Sequence, residues 1–257
     1  MKVLALTSFP VEAAATRYRL HQFVTPLAQR GITLTIHPFL TSELFQRLYR
    51  REALAGTMFG ILKAAVKRLR DVLEAREVDV IMIQREAMLF GPPLIEWLSS
   101  RALKRPMMLD LDDATWVSYT SPTYGWIARK LKWFSKTDDL IRWSRLVTCG
   151  NRTISEYVTS KGSATRIIPT VVDTDLFRPN PTEREVPVIG WVGTHSTFCY
   201  LESIFPVLQD LAKTKDFRLK IVGAGRADID IPGVDVESLE WQLTNEVQDF
   251  RSFDIGL

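Results

Sequence analysis

Three carboxylates stand within four positions in Asp110-Leu111-Asp112-Asp113, directly after the apolar run Pro106-Met107-Met108-Leu109. Carboxylates at the end of a buried strand can accept a proton from an attacking hydroxyl or orient the hydroxyls of a sugar. Two glycine turns suggest a second chemistry. Ile189-Gly190-Trp191-Val192 runs into Gly193-Thr194-His195-Ser196-Thr197, and Leu219-Lys220-Ile221-Val222 runs into Gly223-Ala224-Gly225. Glycine lets backbone N–H groups approach phosphate oxygens, and a helix start adds a favourable dipole. Ser196 and Thr197 can cap the next helix or donate their hydroxyls to the same anion. Either turn alone fits a plain strand-to-helix connection; the pair in tandem favours a phosphate-bearing ligand. Near the N-terminus, Arg17 and Arg19 open a helix and offer guanidinium forks to a phosphate or an anionic acceptor. A solvated helix start is the competing reading for both arginines.

The carboxylate cluster admits other readings. An aspartate-any-aspartate pair can hold a divalent ion, as in a GT-A transferase, or supply nucleophile and acid in a haloacid-dehalogenase-type phosphatase. The phosphatase pattern expects that pair on the first strand; here it lies mid-chain and is followed by Asp113-Ala114. A purely structural role, Asp112 or Asp113 capping a helix, also competes. The histidines, His21, His37 and His195, show no zinc spacing, so no metal is expected. Cys149 and Cys199 are expected to be free thiols in a reducing compartment. Trp191 and Trp241 flank the glycine turns but are expected to pack in the core.

A net charge of +3 is too small to imply nucleic acid. No apolar run approaches the roughly 18 residues that cross a bilayer. The N-terminal Val3-Leu4-Ala5-Leu6-Thr7 is too short for a signal peptide and predicts a first buried strand, so a cytoplasmic protein is expected.

Short apolar runs alternate with amphipathic stretches, the pattern of strands and helices around a parallel sheet. Strands are predicted over residues 3–7, 32–38, 78–84, 106–111, 146–149 and 165–168. Helices are predicted over 18–29, 93–101 and 153–161. A longer helix is marked by Met58, Ile61, Leu62, Ala65, Leu69, Val72 and Leu73, with Lys63, Lys67 and Arg70 on its other side. The stretch 177–187, FRPNPTEREVP, is rich in proline and charge and predicts a linker. The pattern then restarts with a strand over 188–192, a helix over 200–213 and a strand over 219–222. An extended segment over 234–239, a helix over 244–250 and a buried strand over 253–257 complete it. The class is α/β with two Rossmann-like domains, residues 1–176 and 188–257, whose parallel sheets are expected to face a cleft. A buried strand at the last residues predicts that the second domain continues beyond this chain.

Two stretches combine apolar arcs with cations. In 124–134 these are Trp126, Ile127, Leu131, Trp133 and Phe134, with Arg129, Lys132 and Lys136 opposite. In 44–70 the cations are Arg47, Arg50, Arg51, Lys63, Lys67, Arg68 and Arg70. Such faces suit a membrane interface, while simple packing on the sheet competes as an explanation.

Four segments together resemble family 4 glycosyltransferases of the GT-B fold. Ile168-Pro169-Thr170-Val171-Val172-Asp173-Thr174-Asp175-Leu176-Phe177-Arg178-Pro179 is similar to the family's crossover into its second domain. Ile189-Gly190-Trp191-Val192-Gly193-Thr194 resembles the turn facing the donor diphosphate, and Leu219-Lys220-Ile221-Val222-Gly223-Ala224-Gly225 the strand that receives the donor base. Phe253-Asp254-Ile255-Gly256-Leu257 is similar to the strand leading into the family's acidic segment. The resemblance spans nearly the whole chain. It implies transfer of a sugar from a nucleoside-diphosphate-sugar to a glycan or lipid-linked acceptor, without metal or other cofactor. Gly193, Thr194, His195, Ser196, Thr197, Gly223 and Gly225 would then hold the donor, Arg17 and Arg19 the acceptor, and Asp110, Asp112 and Asp113 the catalytic side. Relatives carry an arginine and a lysine after the first glycine turn; here only His195 could take that place. Their glutamate pair would lie after Leu257. A truncated, non-catalytic relative that binds an acceptor or membrane is the alternative reading.

Overall fold

The structure is a computed structural model that describes residues 1–48, 54–118, 130–179, 183–226 and 228–257. They form two compact units, Met1–Val172 and Asp173–Leu257.

The first unit carries strands β1 (Lys2–Thr7), β2 (Thr33–Pro38), β3 (Val80–Gln84), β4 (Met107–Leu111), β5 (Leu146–Cys149) and β6 (Thr165–Ile167). They form one parallel sheet in the order β2-β1-β3-β4-β5-β6. Helices cover both faces, so the strands are apolar on both sides. Leu4 and Leu6 join Ile81, Ile83, Leu109 and Val147 in one core cluster, while Val3 and Ala5 turn the other way to Leu20 and Leu34.

The helix predicted over 18–29 is divided into α1 (Ala14–Arg19), a 3-10 turn at His21–Phe23, and α2 (Val24–Ala28). Pro26 has no N–H to give to a preceding turn, so it is tolerated only in the first turn of a fresh helix. Among the described residues the unit's other α-helices are α3 (Ser42–Leu48), α4 (Leu54–Glu74), α5 (Leu94–Trp97, continued by a π-helical turn over Leu98–Ala102), α6 (Lys136–Trp143) and α7 (Arg152–Ser160). Asn151 caps α7, its side chain accepting from the Ile154 N–H.

The long helix α4 turns in a way that periodicity alone does not predict. Ile61, Ala65 and Val72 pack inward, but Met58, Leu62, Leu69 and Leu73 face outward with Phe59 and Val66. The inner side is claimed by Arg68, which is 0% exposed. Its Nη2 donates to the Thr7 carbonyl at 2.8 Å, and its Nη1 to the His37 carbonyl at 2.9 Å and to Asp71 at 3.2 Å. Burial pushes its pKa down to about 10, against the pull of Asp71 and Glu96. The guanidinium thus bolts α4 to the ends of β1 and β2.

Of the basic stretch 124–134, Trp126, Ile127 and Arg129 lie outside the described residues, as do Arg50 and Arg51 of the earlier one. Lys132 and Lys136, expected on an outer face, turn inward instead. Both pair with Glu86, at 3.4 and 2.7 Å, because that buried carboxylate requires counter-charge.

The second unit holds β7 (Val188–Val192), β8 (Arg218–Val222), β9 (Asp235–Leu239) and β10 (Ile255–Gly256), parallel in the order β10-β7-β8-β9. Its helices are α8 (Phe198–Glu202), α9 (Phe205–Ala212) and α10 (Glu246–Arg251). The helix predicted over 200–213 is therefore two, and Pro206 in the first turn of α9 accounts for the restart. Trp191, Phe198, Leu219 and Ile221 centre a separate core. Phe253 covers Gly190 so closely that a Cβ there would lie 2.0 Å from its ring. The strand predicted over 253–257 reduces to two residues on the sheet edge, with Ile255 and Leu257 exposed.

Candidate functional site

Parallel pairing aligns four polar residues at the carboxyl ends of adjacent strands. Thr7 lies opposite Gln84, Gln84 opposite Asp110, and Asp110 opposite Thr148. All four are buried. Carboxyl ends are where open parallel sheets bind ligands, and here the position is filled by a hydrogen-bonded network. Thr16 of α1 donates to Gln84 at 3.1 Å, and Gln84 donates to the Ala15 carbonyl at 2.8 Å.

The same helix sends Arg19 onto Asp110. Nε donates to Oδ2 at 3.0 Å, Nη2 donates to Oδ1, and Nη1 reaches the Ile168 carbonyl. Thr148 donates to Oδ1 at 2.6 Å. Burial disfavours the Arg19 charge, but the hydrogen bond and charge of Asp110 outweigh it and hold the guanidinium above its ordinary pKa. Arg19 and Asp110, predicted for acceptor and catalytic roles, therefore satisfy each other. Arg17 donates to the carbonyls of Val11 and Glu12 at 2.9 and 3.0 Å and lies against the Tyr18 ring.

Asp112 is also paired. Arg85 Nε and Nη2 donate to its two oxygens at 2.6 and 2.7 Å, a bidentate fork. Arg85 sits at φ 61°, the left-handed region, directly after β3. Gly150 keeps this corner tight: a Cβ there would stand 3.1 Å from the Asp112 backbone. Asp113 is different. It is 71% exposed, with Arg85 3.9 Å away, and its Oδ1 accepts from the Ala114 N–H at 2.8 Å. Of the three clustered carboxylates it presents the most surface.

In the second unit the two glycine turns pack against each other. Gly223 has φ +86° and a Cβ there would meet the Gly193 carbonyl at 2.4 Å; Gly225, at φ +75°, lies against His195, whose Cβ would be 2.9 Å away. Trp191 and Thr197 close on Gly193 in the same way. Only glycine fits these approaches. Trp191 is in the core, while the Trp241 Cβ stands beside Gly223.

Several amides expected to face an anion are already engaged. Gly193 N–H donates to the Val222 carbonyl at 3.0 Å and Thr194 N–H to the Thr197 hydroxyl at 3.0 Å. Thr197 and Phe198 N–H both reach the Thr194 carbonyl. Thr197 thus closes its own turn and makes no side-chain cap on α8. The exposed hydroxyls of Thr194 and Ser196 hydrogen-bond at 2.9 Å and lie on this rim. His195 is half-buried, and burial lowers its pKa, so it is mainly neutral at pH 7.

The cation that sequence reasoning missed is Arg226. It follows Gly225, its guanidinium lies 4.5 Å from the Phe198 ring centre at the start of α8, and Glu202 is 3.4 Å away. The signal was its place at the end of the Gly-Ala-Gly run, one strand over from the turn where a cation was sought. Among the described residues one group could hold a metal: His37, Asp71 and Glu74, with ligand atoms within 4.8 Å of one another. Arg68 already bonds Asp71, which offsets the charge a cation would seek.

No protein-family model and no curated protein matches the chain. Solved structures do. An alpha-glucosyltransferase in complex with UDP and DNA is 9% identical, with a TM-score of 0.60, over 100% of this chain and 71% of that one. A glycosyltransferase from Rickettsia africae is 13% identical, with a TM-score of 0.58, over 99% of this chain and 71% of that one. MnaA of S. aureus, in complex with UDP, is 12% identical, with a TM-score of 0.55, over 97% of this chain and 71% of that one. The likeness establishes the fold: Rossmann-like α/β units with parallel sheets, of the GT-B kind.

Proposed function

We propose that the chain is a glycosyltransferase of family 4 character. It transfers a hexose from a nucleoside-diphosphate-sugar to a glycan or lipid-linked acceptor, in the synthesis of a cell-surface polysaccharide or glycolipid. The observation that carries this reading is the pair of interlocked glycine turns, Gly193 to Thr197 and Gly223 to Gly225, with Arg226 on their rim. Such a rim offers a guanidinium fork and hydroxyls to two adjacent phosphates. The neighbouring structures in complex with UDP support the same ligand class.

In this reading the diphosphate lies against Arg226, Thr194 and Ser196, with His195 beside it. Glycine at 223 and 225 keeps the turns close enough for that approach. Positive charge fixed before the reaction stabilises the departing diphosphate without reorganisation, so no metal is required of the site. Asp113, the most exposed of the clustered carboxylates, is the group proposed to contact acceptor hydroxyls. Asp110 and Asp112, each clamped by an arginine, hold the strand ends in position, with Arg19 and Arg17 shaping the acceptor side. The protein acts in the cytoplasm at the inner face of the membrane. Those two ion pairs also disfavour the phosphatase alternative, which needs an open aspartate nucleophile.

Calorimetric titration of UDP into the protein tests the reading. Micromolar to low-millimolar binding is expected, weakened by Arg226→Ala. No heat at millimolar UDP, and none with the other nucleoside diphosphates, would overturn it.

A further inference from the structure

We propose that α4 is a docking face for an anionic lipid bilayer. Six apolar side chains of this 21-residue helix point to solvent: Met58, Phe59, Leu62, Val66, Leu69 and Leu73, between 48% and 72% exposed. At about 100° per residue they share one arc; Arg70 and Lys63 line one edge of it, with Lys67 further round the same flank. The arrangement is not a core face left unfilled. Arg68, hydrogen-bonded to the Thr7 and His37 carbonyls, and Asp71 hold the opposite side inward, so the apolar arc cannot roll onto the sheet.

Charge selects the occupant. Arg68 and Asp71 neutralise each other inside, leaving Lys63, Lys67 and Arg70 against Glu74 in the last position of the helix. A second copy would bring the same cations to the same face. An anionic headgroup layer complements them, while the apolar residues enter the acyl boundary. Among the described residues no helix is long and apolar enough to cross a membrane, so contact of this kind is interfacial. The inference deepens the membrane setting proposed above but does not depend on the nucleotide site.

Flotation of the full chain with phosphatidylcholine vesicles, with and without phosphatidylglycerol, tests it. Binding is expected only with phosphatidylglycerol and should weaken as salt rises. The exposed substitutions Leu62→Glu with Leu69→Glu should abolish it. Lys63→Glu, Lys67→Glu and Arg70→Glu together should weaken it more than about 100-fold, from roughly fivefold per cation. Unfolding curves check that these surface variants remain folded, and UDP titration run in parallel reports the nucleotide site independently. Absence of wild-type binding overturns the proposal. So does binding that ignores both sets of variants, or a concentration-dependent dimer that Leu62→Glu dissolves.

Discussion

Arg19 and Asp110 lie 91 positions apart in sequence and form a bidentate ion pair beneath the first sheet's carboxyl edge, Nε to Oδ2 at 3.0 Å. A third donor on the same guanidinium holds the Ile168 carbonyl, so one side chain fastens α1 and β4 to the segment after β6. Removing one partner leaves an uncompensated buried charge. Asp110→Leu or Arg19→Met should each destabilise the first unit by about 3–5 kcal/mol, and the two substitutions together by clearly less than the sum. Urea unfolding of the four proteins measures this; additive losses would show that the two groups do not act as a pair.

Arg226 is 55% exposed, and its ion pair with Glu202 contributes little to folding. Arg226→Ala should leave the unfolding midpoint unchanged within error. It should weaken nucleoside diphosphate binding about tenfold or more, the range for a lost charge-assisted hydrogen bond. Arg226→Lys should recover part of that, since charge returns without the fork. Calorimetry of the three proteins decides it.

Gly223→Ala meets two obstacles at once, a left-handed backbone and the Gly193 carbonyl 2.4 Å from the new Cβ. The backbone alone costs about 1–2 kcal/mol. A larger loss of stability is expected, together with weaker binding of nucleoside diphosphate. Gly233→Ala shares the positive φ but has open space, so it isolates the backbone contribution. Thermal unfolding of both variants separates the two effects.

Burial lowers the His195 pKa below its ordinary 6.5, so the unfolded chain binds a proton more readily than the folded one. Stability carried by the neutral ring is complete above the unfolded value and falls as pH drops below about 6.5. His195→Gln should flatten this part of the stability–pH curve, measured by urea unfolding between pH 5 and pH 8. An unchanged slope would assign the dependence to other groups.

Much of the fold was legible because parallel strands buried on both faces must be nearly continuous in apolar residues. Val80–Gln84 and Val188–Val192 follow that rule. The two glycine turns were legible because they recur in tandem directly after apolar strands, although either alone fits a plain strand-to-helix connection. Four things were not. The helix breaks at Pro26 and Pro206 were overridden in the reading by apolar spacing that runs through both. The pairings of Arg19 with Asp110 and Arg85 with Asp112 span 91 and 27 positions, and local pattern carries no information about them. For α4, spacing identifies an apolar arc but cannot say which arc faces in; the buried Arg68 decides it. Arg226 was not legible because it follows the glycine turn after β8, whereas the resemblance places the cations after the turn that ends β7.

At residue 85 the backbone and the side chain make opposing demands. A left-handed φ of 61° is a conformation that glycine or asparagine would hold at less cost. Neither could grip both oxygens of Asp112. A substitution there would relieve the main chain and release the carboxylate in the same act, so mutants at this position could gain local comfort while losing the corner's shape.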